Sequence, residues 1–269
     1  MAKHDPVQTH VAAIWREGSD GPLRIPRDVP EEAAIGLSYD SRPFVVLMAT
    51  PGDLEDLAVG FTVTERIGAA ADVERVSLED TADGTVVDVL LSSRASKALD
   101  DARTRSMEAR SSCGLCGVET LRTAVRPLAP LGDGVAVTRA AIQAARAALE
   151  GVDGLGARTR ATHAAAWADA DGNLLLVRED VGRHNALDKL IGAALRAGLD
   201  PAAAFIVVTS RCSFEMVEKT ALAGVSLLVA VSAPTSLAIR KAEEANLTLV
   251  AIARADGHMV FTGGQRIGD

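Results

Sequence analysis

Past residue 40 the chain alternates short apolar runs with stretches of helical period, and glycine, proline and acidic residues punctuate them. The first run, Phe44 to Met48, reads as a strand and stops at the turn signal Thr50-Pro51-Gly52. Asp53 follows as the expected N-cap of a helix through Leu57, Phe61 and Thr64, with Glu55 and Asp56 where the helix dipole favours acids. Two further strand patterns, Val73 to Leu78 and Thr85 to Leu91, are joined by Asp83-Gly84 as a hairpin turn. Residues 31–105 therefore read as a small α+β domain. The first 30 residues mix proline, glycine and charge without a steady period and read as a loose arm. Residues 106–135 form a long irregular cysteine loop and linker, a kind of segment that is often functional.

From residue 136 to 269 strands and helices alternate. Helices are expected at about Arg139 to Leu149, Arg183 to Leu195, Phe214 to Ala223 and Ser236 to Ala245. Strands are expected at His163 to Trp167, Leu174 to Val177, Phe205 to Val208, Leu227 to Val231 and Leu247 to Ala253, with a return at Met259 to Phe261. Such alternation predicts an α/β class with a mostly parallel sheet covered on both faces. Right-handed crossovers then line the strand C-termini and their loops along one edge.

Composition narrows the function. The 269 residues are 48% hydrophobic and 24% charged, in the range of a globular protein, but only 3% aromatic, which leaves few platforms for stacked bases. A net charge of -8 disfavours nucleic acid and anionic membranes as partners, so an anionic ligand needs a local arginine cluster or helix N-termini. No apolar run approaches the roughly 20 residues that span a bilayer. Met1 to Pro30 lacks a signal-peptide core, so the expected location is cytoplasmic.

Two of the three cysteines stand in Ser112-Cys113-Gly114-Leu115-Cys116-Gly117. Thiols three positions apart can approach within bonding distance, and the flanking glycines let the backbone turn tightly. One thiol can accept sulfur as a persulfide; its neighbour can then attack, release sulfide-level sulfur and leave a disulfide. A thioredoxin-like pair would follow a strand and open a helix, and here a polar segment precedes it. A structural zinc site needs four ligands, which only Cys212, His163 or His184 could complete. Two cysteines in a loop without a role remain the bland reading. The zinc deaminase signature is missing its His-x-Glu, and serine stands before Cys113, so no bound metal is expected.

The strand-to-helix turns carry the remaining chemistry. Arg178-Glu179-Asp180-Val181-Gly182-Arg183-His184-Asn185 opens a helix, where backbone N–H groups favour anions. Arg183 suits a phosphate, and His184 is the histidine best placed to titrate near neutrality. The bland reading makes Asp180 an N-cap and the rest a solvated face. Thr209-Ser210-Arg211-Cys212-Ser213 repeats the situation, with Arg211 for an anion, Ser213 as a cap and Cys212 as a small buried residue. Ser232 to Ser236 offers hydroxyls that could serve only as a cap, and Arg254-Ala255-Asp256-Gly257 ends the last sheet strand. Three arginines at strand ends suit a ligand with several phosphates.

These segments resemble the FdhD family of formate dehydrogenase accessory sulfurtransferases. The likeness rests on Cys113-Gly114-Leu115-Cys116-Gly117, Glu179 to Lys189, Ser213 to Val217, Ala49 to Glu55 with Gly60-Phe61, and Ser232 to Ala238, in the family's order over roughly residues 35 to 265. The resemblance implies a sulfur carrier that takes persulfide sulfur from a cysteine desulfurase to the molybdenum bis(molybdopterin guanine dinucleotide) cofactor, which is destined for a formate dehydrogenase catalytic subunit. Cys113 would be the persulfide carrier, assisted by Cys116. The segment Ile252, Ala253, Arg254, Ala255, Asp256 and Gly257 would meet the cofactor, with Arg183, His184 and Arg211 beside it. The resemblance further implies a cytidine-deaminase-like C-terminal domain and a homodimer. The chain departs from the family pattern at Thr62 to Arg66, where a glycine usually follows the glutamate, and at Ser210, where a glycine usually precedes the arginine. A cofactor-binding chaperone without sulfur transfer and a zinc-stabilised interaction protein are the competing expectations.

Overall fold

A computed structural model describes residues 5–18, 20–101 and 126–269. The cysteine motif, Cys113 and Cys116 included, lies outside the described residues. Residues 7–30, expected as a loose arm, form a hairpin of β1 (Val7–Ile14) and β2 (Leu23–Pro30), registered from Val7↔Pro30 to Ile14↔Leu23. The prolines that suggested irregularity, Pro26 and Pro30, fall in a two-stranded ladder, where a missing N–H costs little. Arg158 to Asp28 (3.0 Å) and Arg27 Nη2 to the Thr159 carbonyl (3.0 Å) tie its base down.

The next unit is a four-stranded sheet in the order β4 (Arg42–Ala49), β3 (Ala33–Tyr39), β6 (Thr85–Leu91), β5 (Val73–Asp80). Strand alternation sends Val87, Val89 and Leu91 of β6 inward, onto α1 (Leu54–Thr64) and its Leu57 and Phe61. Asp53 precedes α1 in a left-handed conformation (φ 51°) and its side chain caps nothing, contrary to expectation; its carboxylate instead stands 3.6 Å from Arg178. A second helix, α2, runs over residues 93–101.

The C-terminal sheet has six strands in the order β13 (Gly257–Val260), β12 (Thr248–Arg254), β11 (Leu227–Ala230), β10 (Ala204–Val208), β8 (His163–Asp169), β9 (Leu174–Asp180). Only β10, β11 and β12 run parallel, so the sheet is mixed rather than mostly parallel. The short crossing Ala168–Leu174 closes an antiparallel pair that the helix-by-helix pattern obscured, while Arg254–Gly257 closes the expected hairpin return. Both faces are covered, as expected. On one lie α5 (Arg183–Arg196), α6 (Phe214–Leu222) and α7 (Ser236–Glu244), packed on Ala165, Trp167, Ile206 and Leu228. On the other, α3 (Arg139–Glu150) packs on Ala164, Ala166, Phe205 and Val207. A short α4 (Leu155–Thr159) and a two-residue pair of β7 (Val137–Thr138) with β14 (Ile267–Gly268) complete the described chain.

The two sheets meet through α1 and α5, which touch backbone to backbone. A Cβ on Gly60 would fall 1.8 Å from the Asp188 carbonyl oxygen, and one on Gly192 would fall 1.9 Å from that of Asp56. Two glycines are what permit the approach.

Candidate functional site

The strand directions bring scattered residues to one sheet edge. Because β8 is antiparallel to both β9 and β10, its first residue, His163, lies beside the ends of those strands. His163 registers with Asp180, and Thr209 is sewn to Ala164 by a backbone bond of 3.0 Å and a side-chain bond of 2.9 Å. The following loops are stitched in turn. Cys212 N donates to the Ala233 carbonyl at 3.2 Å, and Ile252 N donates to the Ser232 carbonyl at 3.1 Å. From Arg183 to Arg254 the edge crosses four strand spacings, roughly 19 Å.

Arg183 and Arg211 both lie close enough to His163 to act on its protonation. Its pKa is lowered, first by burial and then by these two guanidinium groups. Arg211 is exposed, whereas the Arg183 Nε is buried and has no partner among the described residues. An orphaned donor of this kind asks for an acceptor from outside. Arg254 stands further along the edge. With Ala253 and Ala255 it lines a separate cavity of about 280 Å³ whose other walls include Thr209, Val231 and Arg146 of α3. Ile252 opens that segment with φ 53°, a costly value for a β-branched residue, at an irregularity in the β12–β13 ladder. Asp256 is exposed and Gly257 (φ 152°) begins β13. The structure thus joins Arg183 and Arg211, and sets Arg254 apart.

His184 lines a cleft of about 340 Å³ between the two sheets. Its Nε2 is 3.0 Å from Glu215 Oε2 on α6, and its pKa is nevertheless lowered because burial outweighs the carboxylate. Phe61 and Phe214 supply apolar wall. Below them Lys219 bonds Asp188 (2.9 Å), Glu65 (2.9 Å) and Thr64 (3.0 Å). Burial alone would lower the Lys219 pKa; its two carboxylates overcome that and raise it, so the ammonium stays charged. Arg66 has φ 60°, a left-handed backbone that favours glycine, as the departure from the resembled pattern would lead one to expect. Here its guanidinium reaches Glu218 (2.9 Å) and the Pro127 carbonyl (3.0 Å).

Other conspicuous polar residues turn out to hold the frame. Gly182, not Asp180, is the residue before α5. Asp180 is fully buried and pairs with Lys189 at 2.7 Å. The Glu179 carboxylate accepts from Leu155 N and Gly156 N, both at 2.7 Å, at the start of α4. Ser213 does precede α6, but its hydroxyl bonds Glu215 rather than the backbone (3.2 Å). In the Ser232 to Ser236 turn it is Thr235 that caps α7, accepting from Ala238 N at 3.1 Å. Cys212 is buried as expected, and burial pushes its thiol up to about 12. Sequence reasoning assigned His163 only to a possible zinc set and passed over Lys219. The (i, i+4) spacing of Glu215 and Lys219 was the available signal for the latter. Among the described residues no cluster of three or more His, Cys, Asp or Glu side chains could hold a metal ion; the cysteine pair is not among them.

The sequence model of the FdhD/NarQ family matches residues 30–268. The chain is similar to the sulfur carrier protein FdhD of Bordetella bronchiseptica, with 47% identity over 240 residues, 89% of this chain and 87% of that protein. It is 44% identical to the sulfur carrier protein FdhD of Cupriavidus necator over 260 residues, 96% of this chain and 89% of that protein. The fold is shared with a Desulfotalea psychrophila protein assigned as a formate dehydrogenase accessory protein, at a TM-score of 0.76 and 23% identity, over 98% of this chain and 100% of that one.

Proposed function

Because the chain belongs to the FdhD/NarQ family, we propose that it is a sulfur carrier, a sulfurtransferase in the maturation of formate dehydrogenase. Cys113 accepts the outer sulfur of a persulfide on a cysteine desulfurase. The donor's S–S bond breaks, a new S–S bond forms on Cys113, and the donor recovers its thiol. Cys116 then attacks Cys113, expelling sulfide and leaving a disulfide, or assists direct transfer. The acceptor is the molybdenum bis(molybdopterin guanine dinucleotide) cofactor, bound as a client before it reaches the dehydrogenase's catalytic subunit.

The observation that carries the ligand half of this reading is the pairing of Arg183 and Arg211 about His163, with the Arg183 Nε left to an outside acceptor. Two guanidinium groups, one partly buried and one exposed, suit adjacent phosphates. His184 and Ile252 to Gly257 extend the binding surface to either side. The mixed sheet with helices on both faces supports a cytidine-deaminase-like C-terminal domain, with a smaller α+β domain before it. A homodimer in the cytoplasm completes the proposal; among the described residues no helix is long and apolar enough to cross a membrane.

The Arg211→Ala protein separates the two halves. It should bind the cofactor at least about ten-fold more weakly, the loss of one charge-assisted contact, while loading sulfur normally. Unchanged affinity removes Arg211 from the site. Full dehydrogenase activation by a Cys113→Ala/Cys116→Ala protein would favour the cofactor chaperone.

A further inference from the structure

The turn Asp180 to Asn185 carries Arg183 and His184, and three of the hydrogen bonds that hold it come from the last residues of β4 in the other sheet and the segment that follows them. Thr50, two residues before Gly52, is 2% exposed and engages the turn with two groups and Lys189 of α5 with a third. Its backbone N donates to Asp180 Oδ2 (3.0 Å), its hydroxyl accepts from Val181 N (3.1 Å), and its carbonyl accepts from Lys189 Nζ (2.8 Å). Asp180 in turn accepts from Gly182 N (2.8 Å) and Asn185 Nδ2 (3.1 Å), and Asn185 also donates to the Met48 carbonyl (2.9 Å). The segment Met48 to Thr50 therefore templates the backbone on either side of Arg183 and His184 without touching the face they present.

A structural pin would need only the buried Asp180–Lys189 pair. The Thr50 hydroxyl adds something different, since its one hydrogen-bond partner among the described residues is the N–H of Val181, within the turn and two residues from Arg183. We propose that Thr50 is a positioning residue for the Arg183–His184 turn, so that the geometry of the anion site is set from the N-terminal sheet. The inference rests on reading the Arg183–Arg211 edge as an anion site.

The test compares full-length Thr50→Val and Thr50→Ser proteins with the parent. Inorganic pyrophosphate serves as the probe in calorimetric titration, and the His184 ring is titrated by NMR, identified by the signal missing from His184→Gln. Valine keeps the shape and loses the acceptor; serine keeps the acceptor. Thr50→Val should bind pyrophosphate about ten-fold more weakly, as for one lost hydrogen bond, and shift the His184 titration, with both restored in Thr50→Ser. A Thr50→Val protein that binds and titrates like the parent, whatever its melting temperature, overturns the inference. If the parent itself does not bind pyrophosphate, the anion-site reading fails, and the His184 titration alone decides: unchanged in Thr50→Val, the positioning role is refuted.

Discussion

Burial decides what each polar residue in this chain can do. Lys189 and Asp180 are 1% and 0% exposed, so neither charge can fall back on water. Removing one leaves the other desolvated and unpaired, which costs about 3–5 kcal/mol. Lys189→Met should therefore lower the unfolding free energy from urea titration by that amount, whereas the ion pair Arg42–Asp100, with both side chains exposed, should be dispensable within about 1 kcal/mol. Equal effects in the two variants would contradict the assignment. This distinction was not legible beforehand. The run Glu179 to Lys189 stood out as dense chemistry, but its residues divide: His184 lines the cleft and the Arg183 Nε has no partner among the described residues, while Glu179, Asp180, Asn185, Asp188 and Lys189 secure backbone and neighbours. Chain position cannot separate them, because adjacent residues at a helix start point in different directions. His163 shows the converse. Nothing near it in sequence marks it, and it joins the two arginines only through strand pairing.

At the scale of elements, the contact of α1 with α5 sets where the cleft and the edge stand relative to each other. Gly60 and Gly192 admit backbone contact there, with no room for a methyl group. Gly192→Ala should be destabilised by about 3 kcal/mol, since the clash is with the Asp56 carbonyl rather than with a flexible side chain. Gly198→Ala has open space but a left-handed backbone (φ 68°), so its cost is conformational and about 1–2 kcal/mol. Denaturant titration of the two proteins checks the order; Gly192→Ala as the milder change would count against so close a crossing. Helix and strand positions were largely legible because period and length agree with burial, as in Ala204–Val208, buried at every position. Strand direction was not. An apolar run looks the same in either orientation, so β8 and β9 read as part of a parallel scheme, whereas the hairpin return expected at Met259 to Phe261 is the antiparallel β13. The N-terminal hairpin was missed for another reason: Ala12, Ile14, Leu23, Ile25 and Val29 share one face, but prolines and charges interrupt the strands and obscure the alternation.

For the molecule as a whole, the two site histidines couple folding to pH. His163 and His184 both have folded pKa values below the ordinary 6.5, chiefly through burial, so the fold favours their neutral forms. Their contribution to stability is complete above about 6.5 and is lost as pH falls through the lowered folded values. Urea midpoints should decline from pH 7 to 5.5, and a His163→Gln/His184→Gln protein should show a flatter profile; a parallel decline would locate the titration elsewhere. In the proposed function the candidate binding residues stand on one edge and in one cleft, and sulfur transfer is assigned to Cys113. The most direct test of that role incubates the protein with an active cysteine desulfurase and L-cysteine, alkylates the thiols and maps added sulfur by mass spectrometry. The account predicts a persulfide on Cys113 that disappears in Cys113→Ala; cysteines left unmodified, while the same desulfurase loads its usual acceptors, would contradict it.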